Sequence, residues 1–260
     1  MEELTGGQRP KDEPDVKVLR TLLFAEGGKG KTTAALTFPP PFTIVNFDKP
    51  MGNLLALLPK THALSYKRIA FDDVDELTPE MAKRYLAEAN AAIRRALTVG
   101  KGTFFLDGGH NLHEAVKVAL LPKKDASPRE YASVNAWWDT HFRRMAPKPI
   151  NWVISAYAKE EWLQASKPSG RRIPEGWKWT RSWLEQAIYM YTKAEANPSE
   201  TPQDSSEGVP QEFRGQIVEA KENKNLIGRT LPRVTYRGLF KLYHGELPPN
   251  HEELWSPNYK

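Results

Sequence analysis

The sequence contains no cysteine. This excludes a disulfide framework, a thiol nucleophile and any cysteine-ligated zinc. No run approaches the ~18 apolar residues of a membrane-spanning helix. Met1 to Asp15 is polar and acidic, fitting neither a signal peptide nor a transit peptide. A large excess of charge of one sign is also lacking. Lys and Arg number 37 against 32 Asp and Glu in 260 residues, a net +5 with a pI near 9.2. That excess permits a polyanionic partner without demanding one. No internal repeat occurs. His110, His113 and His141 do not follow the H-E-x-x-H spacing of a zinc helix and read as helix-surface or packing residues. These absences leave a soluble, intracellular, cytoplasmic protein without a membrane partner, and 40% hydrophobic residues suffice for a core.

Along the chain, strands and helices alternate. Residues 1–15 read as a loose tail. Val16 to Phe24 reads as a buried strand, and glycines lead from it into a short helix, Lys31 to Thr37, stopped by Pro39, Pro40 and Pro41. Phe42 to Phe47 is a second strand, and a weaker one lies near Tyr66 to Phe71. Thr78-Pro79 is a helix start, a capping hydroxyl followed by proline at the first helical position. Met81, Tyr85, Ala89, Ile93 and Leu97 then give one apolar face, ended by Gly100 and Gly102. Thr103 to Asp107 and Ile150 to Ala156 read as further strands, with helices over Asn111–Leu121 and Tyr131–Met145 between them. Lys167 to Gly176 is a Lys/Arg/Gly/Pro stretch in which Lys167 to Arg172 reads as a basic loop, and residues 197–210 read as a mobile one. Ala187 to Tyr191 is an apolar run, and Phe213–Ala220 and Arg233–Leu242 read as later strands. Residues 245–260 form a C-terminal tail. The alternation predicts an α/β fold over 16–244, with a mainly parallel sheet flanked by helices and later antiparallel strands.

The chemistry concentrates in Ala25-Glu26-Gly27-Gly28-Lys29-Gly30-Lys31-Thr32, followed by Thr33. This fits G-x-x-x-x-G-K-[ST] with alanine at the first glycine position. Flexible residues let successive backbone N–H groups curl around phosphate oxygens. Lys31 then reaches the β/γ-phosphates, and the Thr32 hydroxyl ligates Mg²⁺. An acidic anchor belongs at the end of another buried strand, and Phe104-Phe105-Leu106-Asp107 supplies it. Gly108, not glutamate, follows Asp107, so the base comes from elsewhere. Asp48 either polarises the attacking water or merely forms the turn before Lys49-Pro50. Glu26 is the weaker rival. No N-K-x-D motif appears, which disfavours a GTPase switch.

The segment Leu23 to Thr33, with Thr37-Phe38-Pro39 and the strand into Asp48, resembles the RecA-like P-loop ATPases of phages, relatives of single-strand-annealing recombination systems. The resemblance implies MgATP hydrolysis with Asp48 as base, where the family usually has glutamate, and a Walker B strand over Thr103–Asp107. It implies a sensor strand at Val153 to Glu161, in which Tyr157 replaces a histidine. It also implies a late segment, Ala220 to Arg229, from which Lys221, Lys224 or Arg229 enters a neighbouring subunit's site. The plainer readings are a strand-end tyrosine and a solvated basic loop.

Between His141 and Arg181, nine Lys/Arg stand against three acids, with Trp152, Trp162, Trp177 and Trp179 interleaved. Cations that track phosphates and aromatics that stack on bases suit single-stranded nucleic acid. Lys167, Arg171, Arg172 and Lys178 are the candidate contacts; the plainer reading is core tryptophans and a solvated loop. The expectation is thus an Mg²⁺-dependent, self-associating ATPase acting on single-stranded DNA in phage recombination or replication, in the host cytoplasm. A single-strand-binding or replication protein is its possible partner. A helicase-type motor and a nucleotide-gated binding module with negligible hydrolysis are the alternatives.

Overall fold

The computed structural model describes residues 17–56, 58, 64–69, 77–121, 129–164, 167–178, 180–192 and 213–246. The predicted tail 1–15, the loop 197–210 and nearly all of 245–260 lie outside these, as does Trp179.

Five strands run parallel: β1 (Arg20–Ala25), β2 (Phe42–Asn46), β3 (Leu64–Arg68), β4 (Gly102–Asp107) and β5 (Ile150–Gln164). β6 (Lys167–Pro174) turns back antiparallel along the outer half of β5. β7 (Gln186–Thr192) is parallel to β1, whereas β8 (Phe213–Ala220) and β9 (Thr230–Leu231) continue antiparallel. The order is β3-β2-β4-β5-β1-β7-β8-β9. Helices connect and cover the sheet: α1 (Lys31–Ala35), α2 (Gly52–Leu55), α3 (Pro79–Val99), α4 (Gly109–Leu120), α5 (Tyr131–Met145), α6 (Thr180–Trp183) and α7 (Tyr236–His244). The result is the expected α/β arrangement, a mixed and mostly parallel sheet between helical layers.

Strand alternation sorts the side chains into two cores. Leu22, Phe24, Leu106, Trp152 and Ile154 face α3, α4 and α5, where Ile93, Leu112, Trp138 and Phe142 meet them. Leu23, Phe105, Val153 and Ile188 face Ala34 and Ala35 of α1 and Leu239 and Phe240 of α7. Trp152 and Phe105 are fully buried, and burial of each such side chain contributes about 1.5–3 kcal/mol. At the start of α3, the Thr78 hydroxyl accepts from the Met81 N–H at 3.2 Å, and Gly100 closes the helix in the left-handed region.

Two sequence readings are corrected. Lys167 to Arg172 is not a loop, since it lies within strand β6. Its partner, the extension of β5 past Ala156, carries Lys159, Glu160 and Glu161 in succession, which interrupts the apolar signature of the strand. Arg233 to Leu242 is not a strand. The Thr235 hydroxyl accepts from the Gly238 N–H at 3.2 Å and starts α7, whose Tyr236, Leu239 and Phe240 are buried at helical spacing.

The parallel register sets up the site. Ala25 pairs with Tyr157, and Asn46 pairs with Asp107. The carboxyl ends of β1, β2 and β4 therefore finish level beside the middle of β5, the crevice where open α/β sheets place ligands.

Candidate functional site

A cleft of about 280 Å³ opens at this edge, walled by residues 27–33 on one side and by Asp48, Asp107 and Tyr157 on the other. Gly28 and Gly30 have φ of 73° and 77°, a region that glycine enters without steric cost. The loop curls as a result and returns Lys31 beneath itself. The buried Lys31 ammonium donates to the carbonyls of Ala25 at 3.1 Å and Glu26 at 2.9 Å. Burial lowers its pKa, and the nearby Asp107 and Asp48 carboxylates oppose that shift.

At the end of β4, Asp107 is buried and accepts two hydroxyls. Thr32 Oγ1 donates to Oδ2 at 3.1 Å, and Ser155 Oγ donates a short bond to Oδ1. Ser155 in turn accepts from the Gly108 N–H at 2.9 Å. Burial pushes Asp107 up to about 6 despite both hydroxyls. A buried carboxylate beside a threonine hydroxyl is an oxygen-donor set that suits Mg²⁺. Thr32 and Asp107 are the residues that would hold it.

Asp48 stands across the cleft. Its backbone N–H donates to Asn46 Oδ1 at 2.7 Å, while Asn46 Nδ2 donates to the Lys49 carbonyl at 2.9 Å, locking the turn. The Tyr157 hydroxyl donates to Asp48 Oδ1 at 2.9 Å. The Tyr157 ring lies 5.0 Å from the Lys31 ammonium and 4.3 Å from the His110 ring. Burial and the Asp48 carboxylate raise the Tyr157 hydroxyl to about 12, so it stays a donor. His110, depressed to about 4 by burial, stays neutral there.

The fold thus brings Lys31, Thr32, Asp48, Asp107 and Tyr157 into one cleft. It does not bring Lys221, Lys224 or Arg229 there. Lys221 follows β8 and donates to the Ser182 carbonyl, Lys224 opens a 3-10 turn (Lys224–Leu226), and Arg229 is exposed beyond it. Lys167, Arg171 and Arg172 are exposed on β6, and Lys178 is exposed beyond it. Arg172 forms an ion pair with Glu26 of the glycine loop at 3.3 Å. A groove of about 450 Å³ beneath β6 takes in Arg171, Arg172 and Arg181. Of the tryptophans offered as stacking platforms, Trp152 and Trp177 are core residues, leaving Trp162 as an exposed one. His113 accepts from Trp138 Nε1 at 3.3 Å, a packing role.

Sequence reasoning gave no role to Ser155, Asn46 or Phe213. A hydroxyl between Ile154 and Ala156 in a buried strand was the available signal for Ser155, and a strand-end asparagine two residues before Asp48 was the one for Asn46. Phe213, which lines the cleft, carries none.

No protein-family model and no curated protein matches this sequence. Among solved structures, the chain is similar to a KaiC-like protein from the hyperthermophilic archaeon Pyrococcus horikoshii OT3. Identity is 9% over 78% of this chain and 80% of that one, with a TM-score of 0.43. It is also similar to an ATPase from the type III secretion system of pathogenic bacteria. Identity there is 17% over 71% of this chain and 55% of that one, with a TM-score of 0.47. The chain spans about half the length of that ATPase. Both likenesses are loose.

Proposed function

We propose that the chain is an Mg²⁺-dependent P-loop ATPase of RecA-like organisation that self-associates and acts on single-stranded DNA in phage recombination or replication. The observation that carries the ATPase reading is the glycine loop wrapped over a buried Lys31, with Thr32 hydrogen-bonded to Asp107 and Asp48 facing them across one cleft.

In this reading the loop's amides and Lys31 bind the phosphates. Phosphate oxygens take over the two contacts that the Ala25 and Glu26 carbonyls make with the ammonium. Bound Mg²⁺ supplies charge neutralisation on the transferring phosphoryl group. Asp48 accepts a hydrogen bond from the attacking water and orients it, and the Tyr157 hydroxyl fixes the carboxylate for that task. Lys221, Lys224 or Arg229 is proposed to act on a neighbouring subunit's site. Exposed Lys167, Arg171 and Arg172 on β6, near exposed Trp162, support the DNA half, with Lys178 beside them.

A second reading, nucleotide-gated binding with negligible hydrolysis, is favoured by one detail. The Tyr157 hydroxyl occupies one of the two Asp48 oxygens, leaving a short carboxylate less capacity for water.

Turnover of ATP with and without single-stranded DNA, with oligomer size followed in the same samples, tests both. Expected are basal hydrolysis lost in Lys31→Ala and stimulation by DNA in larger assemblies. The DNA stimulation should weaken with salt and fall in a Lys167→Ala, Arg171→Ala double variant. Hydrolysis surviving in Lys31→Ala overturns the ATPase reading, and indifference of rate and assembly to DNA overturns the DNA half. ATP binding without turnover under any condition selects the gated module.

A further inference from the structure

The proposed chemistry uses the phosphate end of the cleft and says nothing of what holds the rest of a nucleotide. Two aromatic rings line this cleft among the described residues, those of Tyr157 and Phe213. Tyr157 is committed, its hydroxyl bound to Asp48 and its ring set between Lys31 and His110. Phe213, the first residue of β8, is half-buried. Its ring lies against the loop, since a Cβ placed on Gly30 would come within 3.0 Å of Phe213 Cδ2. Phe213 thus reaches the glycine loop from the far side of the sheet order, two strands beyond β1. Pro50, Met51 and Leu54 add apolar surface to the same cleft, next to Lys49.

We infer that Phe213 is the base-binding residue of the cleft, stacking its ring on the nucleobase of a nucleoside triphosphate whose phosphates lie in the glycine loop. The inference rests on the nucleotide reading of the cleft and adds the part of the ligand that the loop cannot read. A phenyl ring offers a flat π-face and no hydrogen-bond donor or acceptor. Stacking on it is therefore tolerant of base identity, because every base has a π-face. The site should distinguish a nucleotide from a bare polyphosphate strongly and adenine from guanine weakly.

Titration calorimetry of the full chain with three probes, MgATP, MgGTP and magnesium tripolyphosphate, tests this. The wild-type protein is expected to bind both nucleotides with similar affinity and tripolyphosphate about tenfold more weakly, the scale of one base–aromatic stack. Phe213→Leu keeps apolar bulk against Gly30 and removes the π-face. It should bring both nucleotides down to the tripolyphosphate level and leave tripolyphosphate itself unchanged. Phe213→Trp should restore the nucleotide preference. Equal losses for all three probes in Phe213→Leu would assign Phe213 to loop support and overturn the inference. So would an unchanged nucleotide preference, or wild-type affinities equal for nucleotide and tripolyphosphate. If the wild-type protein binds none of the probes, the nucleotide reading itself fails and the base contact fails with it.

Discussion

At the scale of residues, the cleft works by restricting groups that would otherwise wander. Asp48 is held at its backbone by Asn46 and at its carboxylate by Tyr157. Asp107 is held by two hydroxyls, Thr32 from helix α1 and Ser155 from strand β5. The Tyr157 contribution can be isolated because its ring packs independently of its hydroxyl. In the proposed ATPase, Tyr157→Phe should leave KM for ATP unchanged and lower kcat by about 3- to 10-fold, the worth of the one hydrogen bond that orients the Asp48 carboxylate. Steady-state kinetics of the two proteins check this. A rise in KM instead would place the hydroxyl in ligand binding. Much of this constellation was legible in advance because the glycine loop, Lys31, Thr32 and the Leu106-Asp107 strand end are local patterns. Ser155 and Phe213 were not, since a lone serine and a lone phenylalanine acquire meaning only from what the sheet sets beside them.

At the scale of elements, legibility followed the same division between local and distant causes. The start of α3 was readable from Thr78-Pro79 and its end from Gly100, because capping and left-handed closure involve neighbours in sequence. Strand β6 was not readable, because a basic, glycine-containing stretch becomes a strand only when β5 extends to pair with it. Helix α7 is masked in the sequence because β-branched and aromatic residues around Val234 and Tyr236 have strand propensity, and Gly238 weakens the helical signal. Burial at Tyr236, Leu239 and Phe240 overrides that propensity. The cap of α3 gives a quantitative check. Thr78→Ala strands the Met81 N–H and should lower stability by about 1 kcal/mol. In urea this would be a lower midpoint with an unchanged slope.

At the scale of the whole molecule, buried titrating groups give the fold a pH signature. Burial holds His110, His113 and His141 near 4, well below the usual 6.5. Between about pH 4 and 6.5 the unfolded chain therefore binds protons on these histidines that the folded chain does not, and stability rises with pH. Burial raises Asp107 to about 6 and also raises Glu185. For these two the folded chain binds the extra proton, so their contribution runs the other way as pH rises through the window. Three histidines outweigh two carboxyls, so the urea midpoint should climb from pH 4.5 to 6.5. A midpoint that falls over this range would mean that the histidines are protonated in the fold.

The order of strands has a consequence for how the cleft behaves over time. The glycine loop springs from β1, which is paired on both sides by β5 and β7, whereas Phe213 begins β8, whose outer neighbour β9 pairs with it only at Gly215 and Gln216. Amide exchange samples such differences directly, since sheet centres open only with global unfolding while rims fray locally. The two ends of one bound ligand would then be gripped by parts of the protein with different opening free energies. The phosphate end would sit on a fixed jaw and the opposite end on a jaw that can loosen without unfolding the domain.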